Sequence, residues 1–391
     1  MKAPQIISLG CRMNIAEAER MRAMLAGEAN LVVVNSCAVT GEALRQTRQA
    51  IRRARRDHPQ ARLMVTGCAA EIDRAAIGAM DEVDGLIANA AKLDPKAWNV
   101  AGEAAPLAPA RTRAFVAVQN GCDHACTFCI IPQGRGTSRS LPVPHVLHEV
   151  EAHLAAGVSE VVLTGVDLTS WGHDLPGAPG LGVLTQAILA AFPALPRLRL
   201  SSVDGVEIDA TLFDLLAHEP RVMPHLHLSL QHGADLILKR MKRRHARKDA
   251  VDLVARLKAL RPEIAVGADI IAGFPTEDEA HHAQNLAIID ELGIVHAHIF
   301  PFSPRPGTPA ARMPQVAREV IKARAAALRE RAAAVRAGWL QSLVGETLPV
   351  LAERDGTGYA PNYARVALPE GTAAGSIVNV TVREVREGLL R

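Results

Sequence analysis

Nine short apolar runs constrain this chain more than any other feature. QIISLG (5–10), LVVVNS (31–36) and RLMVTG (62–67) come first. AFVAVQ (114–119), EVVLTG (160–165), RLRLSS (197–202), HLHLSL (225–230), AVGADIIAG (265–273) and VHAHIFPF (295–302) follow. Between them lie stretches with helical spacing, such as IAEAERMRAMLAG (15–27) and EALRQTRQAIRRARRD (42–57). Strand alternating with helix predicts parallel sheets covered by helices, an α/β chain. The first three runs predict a small open parallel-sheet domain over 1–105, and the other six a partial or complete (β/α) barrel over 111–340. The Ala- and Pro-rich AGEAAPLAPARTR (101–113) reads as the linker between them. After a helix running to about residue 345, TLPVLAER, YARVALPE and SIVNVTVREV have no helix between them. They predict a small C-terminal β-barrel over 345–391.

A chain of 391 residues, 49% of them apolar, has enough material for two or three buried cores. No apolar run approaches the length of a membrane span, and the start MKAPQIISLGC lacks the basic and apolar regions of a signal peptide. A cytoplasmic protein is the expectation. In that compartment six cysteines point to metal or catalysis rather than to disulfides. A net charge of +3 says little about nucleic acid; its distribution says more.

Cys11, Cys37 and Cys68 look scattered until the strands are marked. They follow IISLG, VVVNS and LMVTG, the ends of three predicted strands, where open α/β sheets place their ligand sites. Gly10 and Gly67, each just before a cysteine, allow the backbone to turn or approach closely. Three buried, inert thiols are the alternative. Cys122, Cys126 and Cys129 lie within NGCDHACTFCIIP, a C-x3-C-x2-C just after the first barrel strand. A zinc site needs a fourth ligand, for which His124 or His145 is available. A 4Fe–4S cluster held by three thiolates leaves one iron open to a small molecule.

In that setting the C-x3-C-x2-C resembles radical S-adenosylmethionine enzymes. With all six cysteines, the chain resembles the methylthiotransferases along essentially its whole length: SLGCRMN, VVVNSCAVT, VVLTGVDLTSWG, HLHLSLQHGADLILKRMKRR, DIIAGFPTEDE and FPFSPRPGTPAARM all fit that family's pattern. The resemblance implies a radical-generating 4Fe–4S cluster on Cys122, Cys126 and Cys129, whose open iron takes S-adenosylmethionine. It implies a second 4Fe–4S cluster on Cys11, Cys37 and Cys68, whose open iron holds the sulfur that is methylated and transferred. Both clusters must then face one cavity. The terminal segment resembles a TRAM domain, an RNA-binding barrel.

Arg135 and Arg139 are candidates for the cofactor carboxylate. Gly165 and Asp167 follow a barrel strand and are candidates for its amino or ribose groups, with a helix cap as the alternative for Asp167. Ser201, Ser202 and Gln231 end further strands and are candidate cavity residues. The family's substrates are adenosine 37 of certain transfer RNAs or an aspartate of a ribosomal protein. Two basic runs favour RNA: Arg45, Arg48, Arg52 and Arg55 in the helix 42–57, and Lys242, Arg243 and Arg244 in KRMKRRHARK. Solvated charged faces are the plain alternative. Aromatic residues are only 3%, which disfavours a broad base-stacking platform. NSCAVTGEALRQTRQAIRRARR most resembles the branch acting on N6-threonylcarbamoyladenosine in the anticodon loop. That implies partners in transfer RNA, an electron donor and a sulfur donor, and neither membrane nor DNA. The isopentenyladenosine branch, the ribosomal-protein branch and a non-catalytic metal-containing RNA-binding protein are the rivals.

Overall fold

The computed structural model describes residues 4–100 and 111–391, so most of the linker expected at 101–113 lies outside the described residues. The amino-terminal sheet has four parallel strands in the order β1 (Gln5–Ser8), β2 (Leu31–Ser36), β3 (Arg62–Gly67) and β4 (Gly85–Leu86). All of β2 is buried because both of its faces are covered. Val32 and Val34 meet Ile51 and Ala54 of the helix α2 (Gly41–Asp57), whereas Leu31 and Val33 meet Met21 and Met24 of α1 (Arg12–Met24). Thr40 caps α2, its hydroxyl accepting from Ala43 N at 3.1 Å.

The next strands are β5 (Arg113–Ala117), the short antiparallel pair β6 (Gln119–Asn120) and β7 (Arg139–Ser140), then β8 (Glu160–Thr164), β9 (Arg197–Leu200), β10 (Ser202–Val203), β11 (His225–Gln231), β12 (Ala265–Ala272) and β13 (Ile294–Pro301). Two parallel ladders form the barrel wall, β5-β8-β9 and β10-β11-β12-β13, and the chain passes from one to the other at Ser201. Among the described residues β13 does not pair with β5, so the barrel is partial. Alternate residues Leu226, Leu228 and Leu230 of β11 join the helix-facing core, which turns His225, His227 and Ser229 inward. On the inner side of β5 and β8, Phe115, Ala117 and Val162 pack against Met13 and Ala16 of α1. The amino-terminal unit therefore closes over the barrel with the end of α1 that carries Cys11.

A helix, Arg318–Ser342, packs along β13 and leads to the terminal strands β14 (Thr347–Ala352), β15 (Thr357–Tyr359), β16 (Arg365–Ala367), β17 (Ile377–Thr381), β18 (Val385–Arg386) and β19 (Leu389–Leu390). They form one mixed six-stranded sheet in the order β17-β14-β15-β16-β19-β18. The expected closed β-barrel is not found among the described residues: β17 and β18 are the two ends of the ladder and do not pair. The run SIVNVTVREV, expected as one strand, breaks between Thr381 and Val385.

This sheet plugs the end of the barrel where the strands begin. Arg113, Glu160, Arg197 and Arg199 each stand at or near the start of a strand. Glu160 is fully buried and takes Arg199 on both carboxylate oxygens, at 3.0 and 3.1 Å. Arg199 also donates to Pro361 O at 2.9 Å and stacks on the Tyr363 ring at 4.0 Å. Arg113 donates to Glu353 at 2.9 Å and to the Tyr363 hydroxyl at 2.7 Å.

Candidate active site

Each amino-terminal cysteine sits at a strand's carboxyl end, and polar side chains knit the three loops together. Cys11 is the N-cap residue of α1, Cys37 follows β2 directly, and Cys68 opens the short helix α3 (Cys68–Ile72). The Asn14 side chain donates to Leu9 O at 2.6 Å and Ser36 O at 3.0 Å, and Asn35 donates to Asn14 O at 3.0 Å. The Ser36 hydroxyl accepts from Ala69 N and Ala70 N at 3.1 and 3.2 Å, which caps α3 from the neighbouring strand. Gly10 has φ +92°, and a Cβ there would lie 2.7 Å from both Cβ and Sγ of Cys37. Glycine is required for Cys11 and Cys37 to come together. Burial pushes the Cys37 thiol up to about 11, and neighbouring Cys11 and Cys68 add to the rise.

The second triad lies beyond β6. Gly121, with φ +78°, admits no side chain because a Cβ would lie 1.9 Å from Thr137 O. Cys122 Sγ is 3.7 Å from Asp167 Oδ2, Arg243 donates to Cys126 Sγ at 3.5 Å, and Ile131 N donates to Cys129 Sγ at 3.4 Å. Burial, with Asp167 adding to it, pushes the Cys122 thiol up to about 12. Burial, with Cys126 adding to it, takes Cys129 to about 11. Three thiols brought together on each side are a donor set that a cationic iron–sulfur cluster would satisfy. Of the two histidines available for zinc, His124 lies beside Cys122. His145 lies exposed on the outer helix Val143–Ala155, and His124 turns its Nε2 to Asp167 at 2.7 Å.

The two triads meet across one buried seam. Helix Ile131–Arg135 starts two residues after Cys129 and packs on α3. A Cβ on Gly134 would stand 3.3 Å from Cys68 Cβ, and Asn89 donates to Gly134 O. Arg135, expected at the cofactor carboxylate, is instead the clasp of this seam. It donates to Glu17 and Asn120 at 2.9 Å and to Asn14 at 2.5 Å. Burial works against the Glu17 charge, yet Lys92 and Arg135 together hold its carboxyl below the usual range. Two of these partners, Glu17 and Asn14, lie more than a hundred residues earlier, in a unit whose docking no local pattern reveals.

Asp167 holds Ser170 Oγ at 2.7 Å besides His124, all through Oδ2, and does not cap the turn that follows it. Gly165 is fixed by packing, since a Cβ would meet Gln119 Oε1 at 2.9 Å. Ser201 is buried with its hydroxyl unpartnered, Ser202 is half-buried, and Gln231 ends β11 in the left-handed region at φ +70°. Arg139 is exposed on β7. Sequence reasoning named His124 only as a possible zinc ligand and missed Asp204 and Glu207, which complete this group with it. Of the residues expected on RNA, Arg243 turns inward to it, donating to Asp204 at 2.8 Å and Ser229 O at 2.8 Å, while Arg244 pairs with Glu207 and stays exposed. Hydrogen bonds to Asp167 and Glu207 raise His124 to about 10. Glu207, despite its burial, is brought down to about 2 by His124 and Arg244. The period-two histidines in HLHLSL and VHAHIF were a second missed signal. Asp269 Oδ1 joins His227 at 3.1 Å and His298 at 3.0 Å inside the barrel.

The four arginines of α2 expected on RNA each have an acidic neighbour. Arg45 pairs with Glu42, Arg48 with Asp73 at 2.5 Å and Arg52 with Glu82 at 3.8 Å. Arg55 is tied to Asp84, Ala61 O and Glu82 O. Arg53 and Arg56 are exposed and make no ion pair among the described residues. Lys242 is exposed at φ +56°.

Residues 116–287 match the model of the radical SAM superfamily, and residues 4–88 match uncharacterized protein family UPF0004. The chain is 41% identical, over 99% of its length and 96% of the relative's, to a protein of Rickettsia prowazekii called threonylcarbamoyladenosine tRNA methylthiotransferase MtaB. It is 33% identical to the protein of that name from Thermotoga maritima, covering 90% of this chain and 87% of that one. It is also 33% identical to a tRNA-2-methylthio-N(6)-dimethylallyladenosine synthase of Maricaulis maris, covering 90% and 86%. In fold it resembles the radical S-adenosylmethionine methyltransferase TsrM of Kitasatospora setae, at a TM-score of 0.51, 16% identity, 72% of this chain and 65% of that one. The chain belongs to the MtaB-type methylthiotransferases, a family of radical S-adenosylmethionine enzymes.

Proposed function

We propose that this enzyme attaches a methylthio group to C2 of N6-threonylcarbamoyladenosine at position 37 of transfer RNA. The observation that carries the reading is the seam at which the two cysteine triads meet, because joining sulfur to a carbon needs the sulfur carrier and the radical source in one cavity. The 41% identical relative bears the name of this activity. Cys122, Cys126 and Cys129 would hold one 4Fe–4S cluster, and Cys11, Cys37 and Cys68 the other; when bound, these groups and S-adenosylmethionine supply the radical and sulfur chemistry. The chain's own part is placement. Asp167, Asp204 and Glu207 gather at the ends of β8 and β10, where they can accept from the amino and ribose groups of the cofactor. Arg135, Glu17 and Lys92 keep the seam closed against water.

For RNA, the exposed Arg53 and Arg56 on α2 and Lys242 beyond the second triad are the cations left for phosphates. The terminal mixed sheet is read as a TRAM-like RNA-binding unit, and the cell compartment as the cytoplasm. Among the described residues no helix is long and apolar enough to cross a membrane. An electron donor and a sulfur donor complete the partners.

The test is anaerobic. Reconstituted protein is given anticodon stem-loop RNA bearing threonylcarbamoyladenosine, with isopentenyladenosine RNA alongside, and nucleosides are read by mass spectrometry. Methylthio product on the first RNA and not on the second is expected. Product only on the second would move the enzyme to the other branch, and product on neither would sink the substrate assignment.

A further inference from the structure

The segment FSPRPGT after β13 carries a cation that belongs neither to the seam nor to the group at the strand ends. Arg305 is 6% exposed, and its guanidinium makes no hydrogen bond among the described residues; its Nε is buried and unpartnered. The nearby carboxylate, Asp73, is already taken by Arg48 at 2.5 Å. The loop itself is firmly held. The Arg305 carbonyl accepts from Thr308 N at 3.1 Å and from its hydroxyl at 2.8 Å, and Gly41 N donates to Ser303 Oγ at 3.3 Å. A Cβ on Gly41 would stand 3.9 Å from Arg305 Nη1, so the guanidinium lies at the amino-terminal end of α2. Cys37 is also among its near neighbours. From the other side Gln133, in the helix that follows Cys129, reaches the same loop at Gly307. Arg305 therefore sits between the two triads.

A buried guanidinium without a partner is costly unless an anion completes it, and a helix amino terminus adds to the attraction for one. We infer that Arg305 receives the carboxylate of the threonylcarbamoyl group of the substrate, an inference that rests on the function proposed above. Chemistry supports this choice of anion. The ureido N–H on the threonine side can close a six-membered ring onto N1 of the adenine, which directs the threonine along the edge that carries C2. A base with C2 presented between the triads would then carry its carboxylate into the same space. The isopentenyl group has no charge to offer there. Arg305 is thus a substrate-positioning residue: it holds the acid and so sets the base.

The probe is the same stem-loop RNA in two forms, threonylcarbamoyladenosine with its free carboxylate and with that carboxylate capped as the primary amide. Binding of both is measured to reconstituted wild type, Arg305→Gln and Arg305→Lys, with iron content as the control for an intact site. Wild type should bind the acid about 10- to 100-fold tighter than the amide, the range of a charge-assisted hydrogen bond. Arg305→Gln should bind both forms at the amide's level. Arg305→Lys, which keeps the charge but not the planar fork, should keep part of the preference. A preference for the acid that survives in Arg305→Gln, or its absence from wild type, overturns the inference. Loss of about half the iron in both variants overturns it too, and assigns Arg305 to support of the Cys37 site. The substrate reading fails separately, if wild type makes no methylthio product on the free-acid RNA.

Discussion

Alanine at Cys122, Cys126 and Cys129 is expected to abolish both formation of 5′-deoxyadenosine and transfer of the methylthio group. Alanine at Cys11, Cys37 and Cys68 is expected to abolish transfer alone, with deoxyadenosine still formed. The difference follows from position. The barrel triad adjoins Asp167, Asp204 and Glu207 at the strand ends, the group suited to hold S-adenosylmethionine. The amino-terminal triad is built by separate loops, tied by Asn14 and Asn35. Each variant should retain about four irons of the roughly eight that two clusters require. Liquid chromatography of the two products, with iron and sulfide assays on the same samples, reads all of this. Loss of deoxyadenosine from the amino-terminal variant, with its barrel iron intact, would mean that the roles are not divided between the triads in this way.

Glu160→Ala should lower stability by about 3–5 kcal/mol, the cost of breaking a buried ion pair from one side. It leaves Arg199 buried with its charge uncompensated, and removes the acid that Arg197 approaches at 3.7 Å. The same arginines hold the terminal sheet through Pro361 O and Tyr359 O, so the barrel and the plug should loosen together. A fall in melting temperature on the order of 10 °C is expected for the unit that contains the barrel. Burial opposes the charge on Glu160, but Arg199 and its neighbours hold the carboxyl below its ordinary value. Its contribution is therefore complete above the unfolded carboxylate's pKa, and is lost as acidification proceeds through the lower folded value. A melt unchanged in Glu160→Ala at neutral pH would contradict this description of the plug.

Much of this was legible in the amino-acid sequence, and the failures share a cause. The cysteines and the strands they follow could be read because strand period and strand end are local properties of a few residues. Arg135 and Arg243 were expected at the cofactor and on RNA because basic residues look alike in sequence. What separates a clasp from an RNA contact is the partner: Glu17 lies 118 residues from Arg135, and Asp204 lies 39 from Arg243. The arginines of α2 show the same effect on a smaller scale. Asp73, Glu82 and Asp84 follow the helix in sequence and fold back onto Arg48, Arg52 and Arg55, leaving Arg53 and Arg56 outward. Asp204 and Glu207 were hidden in a short turn with no period to mark it. His227, Asp269 and His298 were not hidden in this sense, since inward-facing polar residues on alternating strand positions are a readable pattern. The terminal strands were recognised as strands, but their pairing depends on long-range register that short runs separated by Gly and Pro do not specify.

The claim on which the rest stands is that both triads open onto one space. It is tested most directly by electron paramagnetic resonance of the fully reconstituted, reduced protein, compared with the two single-triad alanine variants. Dipolar coupling falls with the cube of distance, so two clusters across one seam should broaden each other's signal. A wild-type spectrum broader than the sum of the two variant spectra is expected. A spectrum equal to that sum, with about eight irons per chain present, would contradict it.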